Sequence, residues 1–211
     1  MPINQLRFTI TLTTAHNAVI AHLSPLEGHE WEGKLPGKDW GSRTRRDEIK
    51  AHIRAELEVN QGPHCAFCGL SLYRTSAPEV DHIAPKGLHP EYMFEVNNLA
   101  LSCSLCNGFT KKGEYDTIDA KGASYDLCTF NIVHPFFHDT TFHYTFLDYI
   151  GHPCLIQLNT PEAINSNSIF HLDSPEMTEE RYKEALNASN PLPSNLEDIL
   201  EQVRNREYTS T

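Results

Sequence analysis

Positive charge is what this sequence has least of. Its 17 Lys and Arg stand against 28 Asp and Glu, a formal net charge of -11 with 12 neutral histidines. Taken as an average, that balance argues against nucleic acid as a partner, because phosphates repel an acidic surface. Long apolar runs are also missing: none approaches the roughly 18 residues that cross a bilayer. The first residues, Met1-Pro2-Ile3-Asn4-Gln5, lack the basic and apolar stretches of a secretion signal. A cytoplasmic protein with no membrane partner is expected. The chain has no internal repeat and no low-complexity tract. With 39% hydrophobic and 21% charged residues, its 211 residues suit a globular protein with a sizeable core, not a disordered one.

The acid is unevenly placed. Residues 114–211 hold sixteen acidic and five basic residues, whereas residues 1–113 hold twelve of each. The whole deficit therefore lies in the C-terminal half. Residues 38–56 are slightly basic, six against four, and include Arg43, Arg45 and Arg46. Those arginines are either phosphate contacts or an ordinary solvated face.

Leu6, Phe8, Ile10 and Leu12 alternate and predict a strand over 6–13. Residues 24–42, rich in Gly, Pro and Trp, read as a loop. A helix is expected over 44–59, opened by a capping box of Thr44 and Asp47. Ile49, Ile53 and Leu57 form its apolar stripe, and Gly62-Pro63 stops it. Residues 128–158 are rich in β-branched and aromatic residues and predict two or three short strands, broken at His134-Pro135 and Gly151. Pro161–Phe170 and Pro175–Ala188 read as helices. Ser194 with Glu197 opens a last one, to about Arg206.

Six cysteines in a cytoplasmic chain suit metal binding better than disulfides. Four form two pairs, Cys65-Ala66-Phe67-Cys68 and Cys103-Ser104-Leu105-Cys106. A two-residue gap lets both sulfurs of a pair face one ion, and two pairs complete a closed, structural zinc shell of four thiolates. Gly69 follows the first pair, where such a turn often needs positive φ. Cys128 and Cys154 are unpaired by spacing and read as small buried hydrophobes.

Between the pairs stands Glu79-Val80-Asp81-His82-Ile83, a short strand ending in Asp-His. Asn97-Asn98-Leu99 precedes the second pair, Asn107 follows it, and Lys111-Lys112 come soon after. These residues resemble the HNH endonuclease family, also called the ββα-metal fold. The resemblance covers about 50 residues. It implies an α+β fold: an HNH core over 61–113, a strand-and-helix extension over 1–60, and a mixed C-terminal extension over 114–211.

It also implies roles in phosphodiester hydrolysis. His82 is the general base, an imidazole able to take a proton near neutral pH. Asp81 and Asn107 hold a catalytic magnesium or other divalent ion, separate from the zinc. Asn98 is no ligand; its amide holds the loop that orients His82. Glu79, on the face of Asp81, either assists the ion or is simply exposed. Lys111 and Lys112 hold a phosphate or form a solvated helix end.

The C-terminal half holds His134-Pro135-Phe136-Phe137-His138-Asp139, then His143 and Phe146, then Ile169 to Asp173, ending near Arg181. This order is similar to stand-alone HNH proteins of bacterial anti-phage systems, among them the PtuB component of Septu and the HNH protein of some retron operons. Pro135 and Asp139 stand one residue further apart than in that pattern, and Asp173 replaces an Asn. The resemblance implies DNA as substrate and an ABC-type ATPase as partner. His134, His138 and His143 are too irregularly spaced for a second metal site and read as core or loop residues.

Overall fold

A computed structural model describes residues 3–32, 40–73, 77–107 and 112–189. The expected helix over 194–206 and residue Lys111 lie outside these. Among the described residues the chain is mixed α/β, with five α-helices and three two-stranded antiparallel sheets. No helix among them is long and apolar enough to cross a membrane.

The expected strand over 6–13 belongs to no sheet among the described residues. Its alternation is real: Leu6 and Ile10 are buried, with Phe8 and Leu12 packed behind them. The inward face lies on the 133–137 loop, with Leu6 N donating to Pro135 O (2.8 Å) and Phe8 meeting Phe136 edge-on at 5.3 Å. Alternation therefore reports one buried face, not a ladder.

Helix α1 (Thr14–Leu23), unsignalled by any apolar period, opens on Thr13, whose hydroxyl accepts from His16 N. Helix α2 (Trp40–Asn60) begins a turn before the predicted start. Thr44 is thus inside the helix and caps nothing. The stripe holds: Ile49, Ile53 and Leu57 are fully buried. Beyond α2, Gln61 bonds the Leu101 backbone twice, through Nε2 to its carbonyl (2.7 Å) and from its N–H to Oε1 (2.8 Å). That clamp ties the helix end to the strand carrying the second cysteine pair.

Strand β1 (Glu79–His82) pairs antiparallel with β2 (Leu99–Ser102), placing His82 opposite Leu99 and Asp81 opposite Ala100. Strands β3 (Ile118–Ala120) and β4 (Thr129–Phe130) form a second small sheet, and the short helix α3 (Thr140–His143) leads into a hairpin. The hairpin joins β5 (Tyr144–Tyr149) to β6 (His152–Leu158). Helices α4 (Pro161–Phe170) and α5 (Pro175–Ser189) follow, as the sequence predicts. One cluster of buried apolar side chains runs from Ile3 through Ile53, Phe67 and Leu99 to Phe170 and Met177.

The two turn residues of the hairpin, Ile150 and Gly151, have φ of 52 and 77. That is the pattern of a type I′ turn, which favours Asn-Gly. A β-branched residue there is strained by roughly 1–2 kcal/mol. Ile150→Asn, at a position 74% exposed, is expected to stabilise the fold by about 1 kcal/mol. Thermal unfolding checks this, and an unchanged or lower midpoint contradicts it.

Candidate functional site

The four paired cysteines converge. Cys65, Cys68, Cys103 and Cys106 are all buried, with their sulfurs within 4.8 Å of one another. Cys68 and Cys103 Sγ are 3.7 Å apart. A tetrahedral zinc with Zn–S of about 2.3 Å sets sulfurs roughly 3.8 Å apart, so the cluster can hold one. The two knuckles share one turn: Gly69 N bonds Cys65 O (3.0 Å), and Asn107 N bonds Cys103 O (2.9 Å). Gly69 has φ of 74, as the spacing suggested. The packed thiols divide their protons unequally. Hydrogen bonds from Cys106, Cys65 and Cys68 push the Cys103 pKa down, and the bond to Cys103 pushes those of Cys68 and Cys106 up.

Beside this cluster lies an open cavity of about 470 Å³, lined by Glu79, Asp81, His82 and Asn107 together with Trp31, Lys50, Arg54 and Lys86. A second hollow, lined also by Lys112 and Glu114, shares Asp81, His82, Lys86 and Asn107 with it. Neighbours on a strand normally point to opposite faces. Asp81 and His82 border the same space because β1 ends at His82 and the chain bends away at once.

His82 is 5% exposed, and its ring meets Trp31 edge-on at 4.6 Å. Its Nε2 lies 3.1 Å from Met93 O. A carbonyl only accepts, so Nε2 carries the proton and Nδ1 keeps a free lone pair. Burial first, and then the Lys86 charge, hold the imidazole neutral, with its pKa lowered to about 3. Asp81 is buried too, which raises its pKa against the opposing pull of Lys112. Lys112 Nζ lies 3.1 Å from Asp81 Oδ1, while Asp81 Oδ2 is buried with no hydrogen-bond partner among the described residues. Asn107 Nδ2 donates to Glu79 Oε2 at 2.7 Å, and both side chains line the cavity.

Asn98 is fully buried and saturated. Its Oδ1 accepts from Ala84 N (2.6 Å) and Tyr125 Oη (2.7 Å), and its Nδ2 donates to Ala84 O (3.2 Å) and Tyr92 O (2.9 Å). The loop between the strands is thereby pinned on both sides, with Met93, the His82 acceptor, inside it. Tyr125 is held in turn by His134. The His134 Nδ1 accepts from Phe136 N (3.2 Å) and Phe137 N (3.3 Å), so Nε2 donates to Tyr125 Oη at 3.0 Å. His134 is therefore a core residue, as its spacing suggested, and it links the C-terminal half to Asn98.

Burial, then the neighbouring His138, push the His134 pKa well below the usual range. An unfolded histidine titrates near 6.5, so below about that pH the unfolded chain binds more protons than the folded one. The stabilisation is complete above about pH 6.5 and is lost progressively as pH falls below it. Thermal midpoints measured on the acid side should fall for the wild type and fall less steeply for His134→Gln. Equal slopes for the two chains contradict this.

Two of the expected phosphate contacts are misplaced. Lys112 is 4% exposed and donates to His82 O at 2.6 Å, besides pairing with Asp81. It stands in a turn and is buried, not part of a solvated helix end. Arg46 is 2% exposed, bonded to Asp47 Oδ1 (2.8 Å) and to Glu30 O (3.1 Å). Arg43 and Arg45 are exposed on α2 but do not line the cavity.

The cations that do line it, Lys50, Arg54 and Lys86, were missed. Lys50 and Arg54 stand four apart on the polar side of α2, a spacing that brings them to one face. Lys50 Nζ bonds Trp31 O at 3.0 Å, and burial lowers its pKa. No protein-family model matches this chain, and a comparison with curated proteins finds no match.

Proposed function

We propose that this chain is an HNH-type, metal-dependent endonuclease that hydrolyses phosphodiester bonds in DNA, with one zinc in its four cysteines. The observation that carries the reading is that Asp81, His82 and Asn107 line one cavity beside the cysteine cluster. Lys50, Arg54 and Lys86 border the same space and balance Glu32, Glu79 and Asp81, so within an acidic chain the cavity itself is near neutral and offers cations to a phosphate. The β1–β2 hairpin supplies the two strands of a ββα core.

In this reading His82 Nδ1 takes the proton of the attacking water. A pKa of about 3 makes a weak base, set first by burial and then by Lys86. An arriving phosphate anion offsets only the Lys86 part and raises the pKa by that much. Lys86, Lys50 and Arg54 bind the backbone on either side of the scissile bond. A divalent ion, magnesium by preference, would be held by Asp81 and Asn107. The buried, unpartnered Asp81 Oδ2 fits that requirement. When bound, such an ion polarises the phosphate and stabilises the leaving oxygen. Lys112 neutralises the other Asp81 oxygen and fixes the His82 carbonyl.

A second reading is a zinc-stabilised binding subunit without activity. The Lys112–Asp81 pair favours it, since Asp81 already has a cation beside it. In either case the resemblance to anti-phage proteins suggests defence against foreign DNA with an ATPase partner. The acidic C-terminal half would then dock on a basic partner surface.

Replacing Lys50, Arg54 and Lys86 singly by Ala should slow plasmid nicking and weaken DNA binding. Each loss should lower the salt dependence by about one counterion. Alanine at Arg43 or Arg45 should do less. Nicking and binding unchanged by all three cavity substitutions would refute this placement of the substrate.

A further inference from the structure

Arg181, on α5, is a buried charge that the proposed chemistry does not use. It has no exposed surface, and none of its three guanidinium nitrogens has a hydrogen-bond partner among the described residues. Its guanidinium carbon lies over the Phe146 ring at 5.9 Å. A cation buried without a counter-charge is strongly unfavourable, and burial lowers its pKa accordingly. The charges opposing that shift are, in order, those of Cys68, Cys106, Cys154 and Asp173. Two of the four cluster cysteines thus lie near it, and their sulfurs are anionic once they hold a metal.

The packing agrees with this. Glu184, three residues further along α5, accepts a 2.9 Å bond from Ser71 N, in the hairpin of the first knuckle. Phe170 of α4 stacks on Phe67, between Cys65 and Cys68, at 4.5 Å. Helices α4 and α5 thus pack against the first knuckle, and Arg181 is a buried charge on α5.

Four thiolates around one divalent ion carry a net charge of about −2, which is itself unfavourable in a buried place. Separately, the metal centre and the arginine are each a poorly compensated buried charge. Together they cancel much of that cost. We propose that Arg181 is the buried counter-charge of the tetrathiolate metal centre, retaining the metal without ligating it. This rests on the zinc reading of the four cysteines.

The test uses the full chain, loaded with zinc under reducing conditions. Zinc content is measured first, and transfer to a coloured chelator is then timed for wild type, Arg181→Lys and Arg181→Met. The wild type should hold one zinc, and the charge-conserving lysine should stay close to it. The neutral methionine, of similar length, should release zinc about tenfold to a hundredfold faster. A purely structural arginine would not distinguish lysine from methionine in this way.

A wild type that binds no zinc overturns the zinc reading and the inference with it. A wild type with one zinc and a methionine variant of equal release rate overturns the role of Arg181 alone. If the methionine variant does not fold, cobalt(II) in the wild type decides. The Arg181 Nε–H resonance should shift strongly beside the paramagnetic ion, and an unshifted line contradicts the proposal.

Discussion

His82→Ala is expected to slow DNA nicking by ~10²–10⁴-fold while zinc content stays near that of the wild type. The size is that of losing a general base. The carboxylates that also border the cavity are differently engaged: Asp81 is paired with Lys112, and Glu79 accepts from Asn107. The stability side is less obvious, since His82 is buried and bonds Met93 O. Met93 is itself wholly buried, so its carbonyl loses its donor and the alanine variant is expected to be destabilised by about 1–3 kcal/mol. His82→Gln offers an amide donor for the same carbonyl and separates the two effects. It should fold like the wild type and still fail to nick. A glutamine variant that nicks at the wild-type rate removes His82 from the mechanism.

Zinc removal should have the other large effect, on the fold itself. A structural zinc contributes on the order of 10 kcal/mol to small domains. The net stability of a whole domain is about 5–15 kcal/mol. The cluster joins the hairpin around Cys65 and Cys68 to the turn after β2, and Ala66 N bonds Leu101 O at 3.1 Å beside it. Releasing the ion leaves four buried thiols, while α4 and α5 lose the surface they cover. Chelation in reducing buffer, or Cys103→Ser, should therefore abolish the cooperative unfolding transition and the near-ultraviolet circular dichroism. Nicking should vanish with them, although no residue of the cavity is altered. A sharp transition that survives full removal of zinc contradicts this.

How much of this was readable in the sequence depends on which physical rule wrote each part. Spacing wrote the cysteine cluster: two pairs with two-residue gaps do converge. Helical period wrote the Ile49, Ile53 and Leu57 stripe, and cap and turn residues wrote α4 and α5. The start of α2 was misplaced because Thr44 looks like a cap from its neighbours alone. The strand over 6–13 was misread because alternation specifies a buried face, not what covers it.

Within the site, the placing of Asp81, His82 and Asn107 around one cavity follows the motif order. The long-range partners do not. Lys112 reads as a surface lysine until Asp81, 31 residues earlier, is seen beside it. Lys50 and Arg54 read as the solvated face of a helix until β1 closes the cavity opposite them. Arg181 reads as one charge among many on α5; only packing shows that it is buried. The average charge misled for a related reason. The acid lies after residue 113, whereas the cavity wall draws its cations from residues 50, 54 and 86.

The most direct measurement is a nicking time course on supercoiled plasmid with the zinc-loaded full chain, run with magnesium and with EDTA in its place. A divalent-ion phosphodiesterase site built on Asp81, His82 and Asn107 predicts open circles that accumulate with magnesium and none without it. Zinc-loaded protein that leaves the plasmid intact with magnesium, or that cuts it equally well in EDTA, contradicts the account.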